Sequence, residues 1–165
     1  MPIRLAGAKD HCAIESAVYW GKDAVLAVLL AAVPTADLLP WNETLLNAAL
    51  HKDADGCVRL LEPHGVRPGA AFPRNKMTPL HLASHFGAVK VLELCLQSGA
   101  DPNHADRLVR TPLYLAARYD RAEAIVMLLR FGADASLAAE DGKIPLDIAR
   151  EKKKKRAVAA LPAVL

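Results

Sequence analysis

The apolar positions of this chain fall into short bursts that return at a fixed interval. Thr78-Pro-Leu-His-Leu-Ala83 comes back as Thr111-Pro-Leu-Tyr-Leu-Ala116 and as Ile144-Pro-Leu-Asp-Ile-Ala149, each time after 33 residues. The stretches that follow also superpose: Val91-Leu-Glu-Leu-Cys-Leu-Gln-Ser-Gly-Ala-Asp101 lies over Ala124-Ile-Val-Met-Leu-Leu-Arg-Phe-Gly-Ala-Asp134. The local chemistry predicts helices. Thr78 and Thr111 are good N-caps, and each precedes a proline at the first helical position, where no N–H bond is lost. Gly87 sits where two short helices must turn back, and Gly99 and Gly132 sit where a left-handed C-cap is expected. Each unit is therefore a helix-turn-helix followed by a loop. Its uncovered apolar face can be buried only by the next unit, which predicts a one-dimensional stack with atypical terminal units as caps.

These residues resemble the ankyrin repeat, whose pattern is Thr-Pro-Leu-His-x-Ala, a glycine turn, an apolar second helix and Gly-Ala-Asp. Thr44-Leu-Leu-Asn-Ala-Ala49 with Val58-Arg-Leu-Leu61 and Gly65 is a looser copy. Ile14 to Leu30 can be laid on Leu80 to Leu96 as a degenerate first one, with Gly21 over Gly87. The resemblance implies an all-α ankyrin-repeat solenoid of stacked helix-turn-helix units with β-hairpin-like loops. After an extension at 1–10, one repeat domain fills 11–165, with copies at about 11–42, 43–76, 77–109, 110–142 and 143–165. Set against the family pattern, Lys76 and Val109 replace the hairpin glycine, and Asp53, Asp120 and Lys153 replace the inter-helix glycine. Backbone strain is expected there. Pro34, Pro40 and Pro63 make the N-terminal side the less regular half by expectation.

Composition narrows the function classes. The 165 residues carry a net charge of +3 and are 53% apolar, too apolar for disorder. The longest apolar run, Ala24 to Val33, is ten residues against the roughly 20 that span a membrane, so no membrane association is expected. The first ten residues lack the apolar core of a secretory leader. Cys12, Cys57 and Cys95 contain no Cys-x-x-Cys pair, against a disulfide framework or a four-cysteine zinc site. A cytoplasmic location, with the nucleus as a second compartment, fits that usage.

Little suggests catalysis. His81 and His85 stand four apart on one helix, the spacing of a metal pair, but His81 holds the position where the resemblance implies an inward structural hydrogen bond, and no metal is expected. Cys57 and Cys95 fall on apolar second-helix positions and read as core. No nucleophile elbow, phosphate loop or dinucleotide fingerprint occurs, so neither an enzyme nor a cofactor is expected.

The remaining signals are on the surface. Partners of the ankyrin family bind the hairpin tips and the exposed ends of first helices, which the register assigns to Trp20, His51, Lys52, Arg74, Met77, His85, Phe86, Arg107, Leu108, Arg110, Arg118, Tyr119 and Lys143, with Trp41 on a looser tip. Counted with Glu140 and Asp141, the face holds six bases and two acids, and with Tyr19 beside Trp20 it takes five of the chain's eight aromatics. Aromatics and arginines are common interface anchors. The expectation is a monomeric adaptor, scaffold or inhibitor that binds another protein through an acidic or phosphorylated segment, with neither a small-molecule substrate nor nucleic acid. The alternative is a nuclear or polyanion-binding regulator using Lys152, Lys153, Lys154, Lys155 and Arg156, a run of the kind that forms nuclear signals.

Overall fold

The computed structural model describes residues 14, 16–32, 45, 49, 53–61, 63, 71–72 and 75–162. The chain divides into two compact units, Met1–Arg67 and Pro68–Leu165. Pro34, Pro40 and Trp41 lie outside the described residues.

In the first unit, residues 14 and 16–19 are helical and lead through Gly21, at φ 60, into α1 (Asp23–Ala32). Leu45 and Ala49 are helical and buried, and Asp53, at φ 51, turns the chain into α2 (Asp55–Leu61), which packs on α1. Leu26, Val58 and Leu61 fill the space between them. Cys57 is fully buried and its thiol donates to Asp23 Oδ1 at 3.0 Å. Burial, then the adjacent Asp23 carboxylate, pushes this thiol up to about 12, so it stays protonated and inert. Gly56 permits the contact, because a Cβ there would lie 2.1 Å from Asp23 Oδ2.

The second unit contains α3 (Pro79–Phe86), α4 (Val89–Gln97), α5 (Pro112–Arg118), α6 (Ala122–Arg130), α7 (Pro145–Glu151) and α8 (Lys155–Ala160). The first helices α3, α5 and α7 pack in one layer, and the second helices α4, α6 and α8 in another. Leu80, Leu92, Leu113, Leu115, Ile125, Leu128 and Ile148 are buried in the core. Each such side chain contributes about 1.5–3 kcal/mol by leaving water. Cys95 is part of this core.

The helix starts follow their sequence. Thr111 Oγ1 accepts from the Tyr114 amide at 3.2 Å, as an N-cap should. At Thr78 the amide donates to His81 Nδ1 at 3.0 Å, which places the ring proton on Nε2, and Nε2 donates to the Arg110 carbonyl at 3.0 Å. His81 thus ties α3 to the following hairpin. Both its ring nitrogens are occupied, and burial drives it down to about 4, so it is neutral at physiological pH.

The loops close as hairpins, although no strand is assigned among the described residues. Phe72 and Met77, Asp106 and Arg110, and Ala139 and Lys143 are paired by backbone bonds of 2.7, 3.0 and 3.0 Å. Neighbouring tips are linked by Arg107 N to Asn75 O at 3.0 Å and Glu140 N to Leu108 O at 3.1 Å. The expected strain is present: Lys76, Val109, Asp53, Asp120 and Lys153 have φ of 57, 56, 51, 60 and 54, matching Gly87 and Gly142 at 75.

Asp120 has a use for its side chain that glycine would lack. Its Oδ1 accepts the Ala157 amide of α8 at 2.8 Å, while the neighbouring Arg121 reaches the other way, its Nε donating to the His85 carbonyl at the end of α3 at 3.0 Å. One turn therefore caps a helix in the repeat after it and another in the repeat before it. Asn103 forms a second clamp, donating to the Gly132 carbonyl at 3.1 Å and accepting the Asp134 amide at 2.8 Å.

Candidate functional site

The surface of interest lies between two hairpins and α5. In the first hairpin, Asp106 is buried and organises the loop: Oδ1 accepts the amides of Leu108 and Arg110, both at 2.9 Å, and Oδ2 accepts Arg110 Nε and Nη2 at 2.8 and 2.6 Å. Burial opposes its charge, but the Arg110 guanidinium and these amides overcome it and hold the carboxyl below its usual range. The backbone so fixed holds Leu108 and Val109 outward, 47% and 48% exposed.

In the second hairpin, Asp141 Oδ1 accepts the Lys143 amide at 3.2 Å, while Oδ2 lies 3.5 Å from Lys143 Nζ and accepts the Tyr114 hydroxyl at 3.3 Å. Lys143 Nζ also meets Glu151 at 2.5 Å, and Lys152 approaches the other Glu151 oxygen at 3.0 Å. These lysines, Lys143 first, bring the Glu151 carboxyl down to about 2. Between the hairpins and α5 is an open cavity of about 310 Å³, lined by Leu108, Arg110, Tyr114, Arg118, Glu140 and Asp141 among others.

At the C-terminal ends of the first helices is a ring cluster. His85 stacks on Tyr119 with centroids 4.0 Å apart and planes 17° from parallel, and Phe86 is tilted against His85 at 4.8 Å. Arg118, from the last turn of α5, precedes Tyr119 and lines the cavity.

The structure gathers most of the sequence candidates of the second unit. Leu108, Arg110 and Arg118 meet in the cavity, while His85, Phe86 and Tyr119 meet in the ring cluster. Arg107 is exposed at the tip, and Met77 is half-buried behind an amide bond to Asn75 Oδ1 at 2.9 Å. In the first unit, Trp20 is 62% exposed, edge-on to Tyr19 at 5.2 Å. His51, Lys52 and Arg74 lie outside the described residues.

Two expectations change. The basic excess of this face is smaller than the register count, because that count left out Asp106 and Glu151. With them included, Arg110 is paired within its own hairpin and Lys143 with Asp141 and Glu151, so Arg107 and Arg118 are the described candidate cations of this face that form no ion pair with a described residue. Tyr114 and Asp106 were also missed as contributors to the site. Their signals were present: a tyrosine where the preceding copy has histidine, and an aspartate four residues before an arginine on one loop. The basic run forms an exposed turn and the start of α8, as its register implies.

Family comparison decides what this architecture is. A model for ankyrin repeats (3 copies) matches residues 14–106, and one for ankyrin repeats (many copies) matches residues 96–149. The chain belongs to the ankyrin-repeat family. Ankyrin repeats generally mediate protein–protein interaction. No curated protein matches the sequence. Among the described residues of this ankyrin protein, no helix is long and apolar enough to cross a membrane.

Proposed function

We propose that this ankyrin protein is a non-catalytic, monomeric adaptor or inhibitor of the cytoplasm and nucleus, and that the hairpin tips and first-helix ends from Met77 to Lys143 hold another protein. One observation carries the reading: a cavity has an exposed apolar wall, Leu108, and a guanidinium rim, Arg118, and the residue after Arg118 is Tyr119, whose exposed ring stacks on the half-buried His85. An apolar wall with adjoining aromatic and arginine groups is the composition of an interface hot spot. Arg107 and Arg118 favour a partner segment with a carboxylate or phosphate. The 11–165 stretch is one repeat domain in this reading.

The test is affinity capture at two salt concentrations with the wild type and an Arg107→Ala, Arg118→Ala, Tyr119→Ala triple variant. Arg110 is left in place because it braces its hairpin. A protein kept by the wild type and lost by the folded variant supports the groove, and a partner retained equally by both refutes it.

A further inference from the structure

The basic run supports a second site, independent of the groove. Lys152 to Arg156 wrap the inter-helix turn of the last copy, with Lys153 at φ 54, where other copies place Gly21 or Gly87. A non-glycine residue in this conformation costs about 1 kcal/mol or more, and the like charges beside it add to that. Asp120, at the corresponding turn, offsets its strain by capping α8. Lys153 has no such return among the described residues. Lys152 is accounted for in part, since it closes α7 and pairs with Glu151 at 3.0 Å. Lys153, Lys154 and Lys155 make no ion pair with any described residue, and Arg156 meets Glu123 at 3.6 Å only through two exposed side chains, a pairing worth little in water.

Shape separates the anions this cluster could meet. Five consecutive residues span at most about 18 Å even when extended, and here they are folded through a turn and into a helix. A duplex spreads its phosphates along a line, whereas this cluster concentrates its charge on one small knob. Arg121 lies on the neighbouring turn, where it and Arg156 line one small polar cavity together with the carboxylates Asp120 and Glu123, so the cationic surface on offer is the outer face of the run. Lys153 shares its left-handed backbone with Asp53, Lys76 and Val109, and what sets it apart is the row of like charges that adjoins it.

We propose that Lys152–Arg156, with Arg121 beside them, bind a compact group carrying several phosphates, such as a multiply phosphorylated inositol, free or as a lipid headgroup. Each lysine at an anionic surface contributes about a fivefold factor, so replacing three predicts a loss of about a hundredfold.

The experiment titrates the full chain at physiological salt with inositol hexakisphosphate, with inorganic phosphate, with vesicles containing phosphatidylinositol bisphosphate or only phosphatidylserine, and with a short DNA duplex. A Lys153→Gln, Lys154→Gln, Lys155→Gln variant is compared with Lys153→Gly, which keeps the turn in its preferred conformation, and folding is followed by circular dichroism. The expected result is binding of the hexakisphosphate or the bisphosphate vesicles, weaker by about fivefold in Lys153→Gly and about a hundredfold in the triple variant. Tighter binding of the soluble compound identifies a free ligand, and tighter binding of the vesicles a lipid. Binding to neither, equal binding of inorganic phosphate or phosphatidylserine vesicles, tighter binding of DNA, or unchanged affinity in both variants overturns the proposal.

Discussion

Acidification from pH 7 to pH 5 should weaken the second unit through one residue. His81 is fully buried, its two ring nitrogens are hydrogen-bonded, and burial lowers it from 6.5 to about 4. Over this range the unfolded chain binds a proton at this histidine and the folded chain does not, so stability falls with pH once it drops below 6.5 and stops falling below 4. At pH 5 the unfolded ring is almost fully charged and the folded ring mostly neutral, which sets the loss from pH 7 at about 2 kcal/mol. The lowered carboxyls of Asp106, Asp134 and Asp141 release their contributions around and below their ordinary 3.8, and Glu151 around and below its ordinary 4.5, so little of either is lost above pH 5. Urea unfolding of the wild type and of His81→Gln at both pH values isolates the effect: the variant is weaker at pH 7 but loses about 2 kcal/mol less on acidification. Proton resonances of the His81 ring provide a direct readout. A midpoint near 6.5, or equal acid losses in both proteins, would refute the reasoning.

Three further outcomes follow from the loops. Lys76→Gly relieves a left-handed backbone at an exposed side chain and should raise stability by about 0.5–1 kcal/mol in thermal melts, since the conformational gain exceeds glycine's extra unfolded freedom. Asp106→Ala removes the acceptor of two amides and of the Arg110 guanidinium, and should cost about 2–3 kcal/mol in chemical denaturation, whereas Glu140→Ala at the next tip should stay within about 0.5 kcal/mol. Asp120→Ala should cost about 1 kcal/mol, and hydrogen exchange should speed up first at the Ala157 amide.

The backbone was more legible in the sequence than the site. Thr-Pro at 78 and 111 and glycine at 87, 99 and 132 act within a few residues of themselves, so their spacing alone placed helix starts and turns. Periodicity also located the strained positions, because Val109 and Lys153 occupy slots where the repeat elsewhere carries glycine. The charges of the site were harder to read. Whether Arg110 faces a partner or its own loop depends on Asp106 folding back across a hairpin, where a four-residue spacing does not bring side chains together as it does on a helix, and Lys143 meets Glu151 from another element. Tyr114 shows the same limit: its register predicts the inward position, but its bond to Asp141 depends on how far the next loop stands from α5.

The turn at Asp120 and Arg121 bears on how the array comes apart. In a linear stack, cooperativity resides in the coupling between neighbours, and here two adjacent side chains each contribute a hydrogen bond to one of two couplings. Loosening that turn uncaps α8 on one side and α3 on the other, so the last three repeats should melt as a single transition. Cutting both bonds, in an Asp120→Gly, Arg121→Ala chain, should separate them into steps, with the terminal repeat fraying first, even though the core leucines are untouched.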